Sequence, residues 1–138
     1  MMTEPDSSTR LTELSIDTMA IPEGAHVMTA LVGIPPGNAG TGPHRHSGPV
    51  FAYLIEGEML FELGGQAPRV IHAGEAFSEP GGDVVHWLAA NNLPDAWTRF
   101  VAVMVCAPNI PMITYLTAEE IAERQCRRHP TAHAVKES

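Results

Sequence analysis

The chain is poor in cysteine, in aromatic residues and in positive charge, and it has no long apolar run. Its 138 residues include 2 cysteines, Cys106 in an apolar stretch and Cys126 in a polar one, too few and too dissimilar for a disulfide framework or a thiolate metal site. Cys106 reads as core and Cys126 as a surface thiol. Lysine and arginine total 8 against 16 acidic residues, a net charge of −8, which offers no electrostatic footprint to a nucleic-acid backbone. No window approaches the roughly 18 uninterrupted apolar residues of a membrane helix. Residues 1–10 are polar and acidic, without the basic start and apolar core of a secretory leader. The expectation is a cytoplasmic protein with neither a nucleic-acid nor a membrane partner.

What is present is 44% apolar and 17% charged residues, the composition of a single soluble globular domain. A chain of this length buries roughly two-thirds of the surface its unfolded form exposes, so it needs no structural metal, and any metal it holds is functional. Glycine and proline, 12 of each, are scattered without period, which points to many turns and short strands, an all-β domain.

Along the chain, residues 1–10 read as a disordered lead and residues 11–20 and 25–34 as two extended segments separated by the turn Ile21-Pro22-Glu23-Gly24. After a Pro/Gly-rich loop over 35–43 come strands at 50–55 and 58–63, with Met59, Phe61 and Leu63 on one face. Gly64-Gly65 closes a hairpin onto 69–72, and further strands fall at 75–79, 84–90 and 97–107. Eight or nine short strands in one domain close into a barrel or a two-sheet jelly roll over residues 11–116. Thr117-Ala118-Glu119-Glu120 is a capping box that opens a short C-terminal helix over 117–128, whose end Arg124, Arg127 and Arg128 complement electrostatically. Residues 129–138 read as a loose tail.

His44-Arg45-His46 sets two imidazoles on one face of a strand. His86 opens another strand, and closure of the sheet brings it beside the pair, three neutral nitrogen ligands with open positions. Taken alone, the spacing is equally that of polar residues at a barrel mouth, hydrogen-bonded to water.

The surrounding residues resemble the two motifs of the cupin family. The first appears as Gly37, His44-Arg45-His46 and Gly57; the second as Gly74, Pro80-Gly81-Gly82, His86 and Asn91. The resemblance covers residues 35–105. It implies a small cupin, a double-stranded β-helix or jelly-roll barrel, whose motif histidines bind a divalent transition metal inside the barrel, with Fe, Mn, Ni, Zn and Cu all admissible. It also implies pairing as a homodimer, and the apolar residues of 14–34 are the strands expected to mediate it.

Four departures stand out. Val50 occupies the place of the family's metal-binding glutamate, and valine cannot coordinate. Each of the gaps Gly37 to His44, Gly82 to His86 and His86 to Asn91 is one residue longer than the common pattern, which allows local bulges. Glu79, just before Pro80, is the carboxylate placed to substitute for the missing ligand, while Glu56 sits in a turn and reads as solvated. Val50, Phe51, Tyr53, Phe61, Phe77 and Trp87 are the pocket-lining residues expected around the metal, suited to a small organic ligand or substrate. Arg45 alternates outward, and His26, His72, His129 and His133 read as surface or tail residues. The resulting expectation is a small-molecule enzyme, a dioxygenase, isomerase, lyase or decarboxylase, that uses a His-ligated metal as Lewis acid or oxygen activator. The competing one is a non-catalytic cupin that binds or senses a small ligand.

Overall fold

The computed structural model describes residues 8–131. Residues 1–7 of the lead expected to be disordered, the end of the expected tail and His133 lie outside the described residues. Nine strands run in chain order: β1 His26–Ile34, β2 His44–His46, β3 Val50–Glu56, β4 Glu58–Leu63, β5 Arg69–His72, β6 Ala76–Glu79, β7 His86–Asn91, β8 Thr98–Cys106 and β9 Ile113–Tyr115. They form two antiparallel sheets, β1-β8-β3-β6 and β5-β4-β7-β2-β9, which face each other as the double-stranded β-helix. Helix α1, Ala118–Arg124, follows, and a 3-10 turn Gln125–Arg127 completes it. Among the described residues no helix is long and apolar enough to cross a membrane.

The core is what period-2 alternation on β4 dictates. Met59, Phe61 and Leu63 are buried together with Leu54 and Ile71, each large side chain contributing roughly 1.5–3 kcal/mol on burial. Gly57 makes the tight turn between β3 and β4 at φ 88°, and a side chain there would overlap Thr98. Asn91 does structural work: its amide donates to the carbonyls of Ile34, Pro35 and Ala96, and its oxygen accepts from Leu93 N and Thr98 Oγ1. The loop after β1 is thereby tied to the loop after β7.

Residues 11–20 depart from expectation. They form no strand, because no neighbouring edge pairs with them. The segment lies exposed, Leu11 at 96% and Ile16 at 79%, and one of its tethers is a hydrogen bond from Ser78 Oγ to Asp17 Oδ1 of 3.0 Å. Strand β9, only three residues long after Pro111, had no signal strong enough to mark it.

The capping box forms: Thr117 Oγ1 accepts from Glu120 N at 3.1 Å, and Thr117 N donates to Glu120 Oε1 at 3.2 Å. Arg128 does more than complement the helix end. Its guanidinium donates in a fork to the wholly buried Glu62 and lies 4.8 Å over the Trp87 ring. Trp87, Val85 and Leu116, with Ile121 packed against them, form a second small core beneath the helix, on the outer side of the sheet.

Candidate metal centre

β2 is three residues long, and its alternation turns His44 and His46 inward while Arg45 faces out. Out there Arg45 pairs with Asp83 at 3.6 Å and Glu120 at 3.4 Å. His44 stands opposite His86 of β7 in the sheet. A β-bulge decides which way His86 points. In the β4–β7 ladder Phe61 faces Ala89 and Glu62 faces Leu88, after which the register slips and Leu63 faces His86. Without that extra residue Trp87 would point into the barrel and His86 out of it. The long gap between His86 and Asn91 is this bulge.

Glu79 ends β6 and pairs directly with Val50 of β3. Directly opposed residues share a face, so the carboxylate enters the barrel at the height of the missing motif glutamate, one strand over. Its Oε2 lies 3.2 Å from His86 Nδ1 and 3.6 Å from His46 Nε2. His44, His46, Glu79 and His86 are all buried, and one donor atom from each lies within 4.8 Å of the other three. An ion bonded at about 2.1 Å spans donors up to about 4.2 Å apart, so small rotamer adjustments suffice to close the set. The imidazoles crowd at ring separations of 4.9 Å for His44–His46 and 5.0 Å for His44–His86.

Hydrogen bonds prepare two of the rings. His44 Nδ1 donates to the Gly42 carbonyl at 2.9 Å and His46 Nδ1 to that of Met112 at 3.2 Å, which leaves each Nε2 lone pair free. Burial pushes the His44 pKa down to about 4, with the Gly42 bond opposing, so this ring is neutral at pH 7. Burial alone would raise the Glu79 pKa; the His86 imidazole against it, with the charge the three rings carry when protonated, holds it below the ordinary value. The His86 contact is off the line a hydrogen bond needs, and both His86 ring nitrogens are buried without a hydrogen-bond partner. A buried imidazole whose Nε2 has no polar partner and whose Nδ1 meets only the Glu79 carboxylate is costly unless something electrophilic occupies the space before it. The residues present therefore fit a divalent transition metal.

The four side chains stand at one end of a cavity of about 310 Å3. Val50 and Phe77 line it, as expected; Phe51, Tyr53, Phe61 and Trp87 do not. Phe51 and Tyr53 alternate to the outer face of their strand, Tyr53 41% exposed. Phe61 lies behind the wall, its ring 4.6 Å from that of His86 and 5.4 Å from that of Phe77. Trp87 is turned outward by the bulge. The walls instead include Val32 and Ile34 of β1, Phe100, Ala102 and Met104 of β8, and Met112 and Ile113, with Asn38 and Thr41 from the exposed loop after β1. The signal for the β8 set was its alternation, Phe100, Ala102 and Met104 at every second residue. Of the other histidines, His26 and His72 are exposed, and His129 bonds locally to Thr131.

The cupin domain model matches residues 30–103. Similar folds include a cupin-2 domain protein from Rhodospirillum rubrum, with a TM-score of 0.61 and 16% identity over 86% of this chain and 74% of that one. An RmlC-like cupin protein from Ralstonia eutropha JMP134 has a TM-score of 0.56 and 19% identity over 72% of this chain and 57% of that one. The DMSP lyase DddQ from Ruegeria pomeroyi DSS-3 has a TM-score of 0.53 and 18% identity over 64% of this chain and 42% of that one. The chain thus spans little more than half of the Ralstonia protein and less than half of the lyase, and at these identities the likeness is one of fold. No curated protein matches it at a significant level. With the motif residues placed in the barrel and the family model matched across more than half its length, the chain belongs to the cupin family.

Proposed function

We propose that His44, His46, His86 and Glu79 hold one divalent transition metal (Fe, Mn, Ni, Zn or Cu) and that the protein is an enzyme acting on a small molecule in the adjoining cavity. The observation that carries this reading is the convergence of four buried donors, among them a His86 ring with neither nitrogen hydrogen-bonded, at the end of an apolar cavity. Such an ion supplies Lewis-acid or oxygen-activating chemistry when bound. The chain's own residues supply the rest. The Gly42 and Met112 carbonyls fix the tautomers of His44 and His46, Glu79 contributes the one negative charge, and the walls offer an apolar surface to the substrate. The Ruegeria neighbour of the same fold is a lyase, so the fold hosts an enzyme there, without choosing the reaction here.

A second reading, a non-catalytic cupin that binds or senses a small ligand, is favoured by one observation. Among the described residues lining the cavity there is no acid or base apart from the four putting their donors together. We also place the protein in a homodimer, on the exposed apolar face of its β1-β8-β3-β6 sheet.

Elemental analysis of the purified chain tests the metal site. About one divalent transition metal per chain is expected, and the His44→Ala/His46→Ala double variant should lose it. Full occupancy in a normally folded double variant would remove the assignment. A stoichiometric redox metal supports the enzyme, whereas a metal-free barrel that still takes up small ligands supports the binder.

A further inference from the structure

The cavity wall carries more information than the ligand set. Its volume is about 310 Å3, in the range of a small-molecule site. Val32, Ile34, Phe77, Phe100, Met104 and Met112 make most of its surface apolar. Among the described lining residues none is lysine, arginine or tyrosine, and the only polar side chains besides the four at its end are Asn38 and Thr41. Asn38 already spends its Oδ1 on Gly40 N at 2.7 Å. A charge on the part of a ligand held against this apolar wall, away from the exposed Asn38 and Thr41, would therefore be buried without a partner, which is unfavourable.

The charge sum at the far end points the same way. Three neutral imidazoles and one carboxylate around a divalent ion leave a net charge of +1, which one anionic head neutralises. The chain as a whole, at −8, repels a ligand with further negative charge.

From these observations we infer that the cavity takes a small apolar monoanion, one chelating oxygen head at the four-residue end and an uncharged, apolar body against the wall. Sugar phosphates, dicarboxylates and other polyanions are disfavoured as its ligands. This class rests on the metal-site reading above and narrows it.

The test loads the full chain with Co(II) and follows its visible absorption bands while adding benzohydroxamate, acetohydroxamate, 4-nitrobenzohydroxamate or 4-carboxybenzohydroxamate. The four share one chelating head. Nitro and carboxylate groups are nearly equal in size and differ in charge. After correction for each probe's affinity for free Co(II), benzohydroxamate should bind at least about tenfold tighter than acetohydroxamate, and the carboxylated probe at least about tenfold weaker than the nitro one. A carboxylated probe that binds as tightly as its nitro counterpart, or acetohydroxamate equal to benzohydroxamate, overturns the inference and leaves the metal site standing. Should the chain take up no Co(II), or the His44→Ala/His46→Ala variant give the same bands, the metal reading itself fails and this inference falls with it.

Discussion

Val50 and Glu79 are one exchange written at two positions. A carboxylate at Val50 would come from β3, and the one present comes from β6, directly across the ladder. Opposed Cβ atoms in an antiparallel pair are about 4.5–5.5 Å apart, a span a glutamate side chain can cover by rotamer choice. The imidazoles need a single negative charge near them, and its strand of origin is secondary. Glu79→Gln should therefore weaken Zn(II) binding, measured by competition with a chromophoric chelator, by at least about tenfold. Val50→Glu in a Glu79→Ala background should recover most of that loss. If the double variant stays as weak as Glu79→Ala alone, the two positions are not interchangeable, and Glu79 depends on its own surroundings.

At the scale of elements, β2 is a short strand that depends on what lies behind it. Arg45, between the two inward histidines, reaches Asp83 in the turn before β7 and Glu120 in α1, and Asp83 also takes Arg124 at 2.8 Å. The Arg124 hydrogen bond holds the Asp83 carboxyl below its ordinary pKa, so the network keeps its charge in mildly acidic solution. The helix thereby braces the outer side of the strand whose inner side carries His44 and His46. Removing the brace with Arg45→Met should cost roughly three- to tenfold in Zn(II) affinity, less than a group bonded directly to a ligand ring would. The loss should shrink at high salt, because these charges are partly exposed. Affinity unchanged at low salt would show that β2 holds its histidines without help.

Local signals were the legible ones. The i, i+2 histidines, the alternation on β4 and the Thr117–Glu120 capping box each lie within a few residues, and each forms as read. Trp87 and His86 exchange faces through a one-residue slip against β4, visible in sequence only as a long gap. In sequence Arg128 reads only as a helix-end charge, because its partner Glu62 is 66 residues away. Residues 11–20 look like a strand by composition, yet a strand needs a neighbour, and composition does not supply one.

For the whole molecule, the two faces of the β1-β8-β3-β6 sheet pose different problems. The inner face builds the cavity. The register places Leu31, Val101, Tyr53 and Ala76 in one row of the outer face and Thr29, Val103, Phe51 and Ser78 in the next. Val27 is 62% exposed, Leu31 67% and Ile55 47%, so a broad apolar surface stands in water beside the exposed segment that carries Leu14 and Ile16. Contiguous apolar surface of this kind on a soluble protein marks an interface, and a second copy offering the same face satisfies it by twofold symmetry. Sedimentation at micromolar concentration should therefore show a dimer. Leu31→Lys/Tyr53→Lys, which sets two ammonium groups on that face and repeats them across the twofold axis, should shift the population to monomer while the metal content stays unchanged, since both side chains point away from the cavity. A native chain that sediments as a monomer would remove the claim, and a double variant that remains fully dimeric would move the interface to another surface.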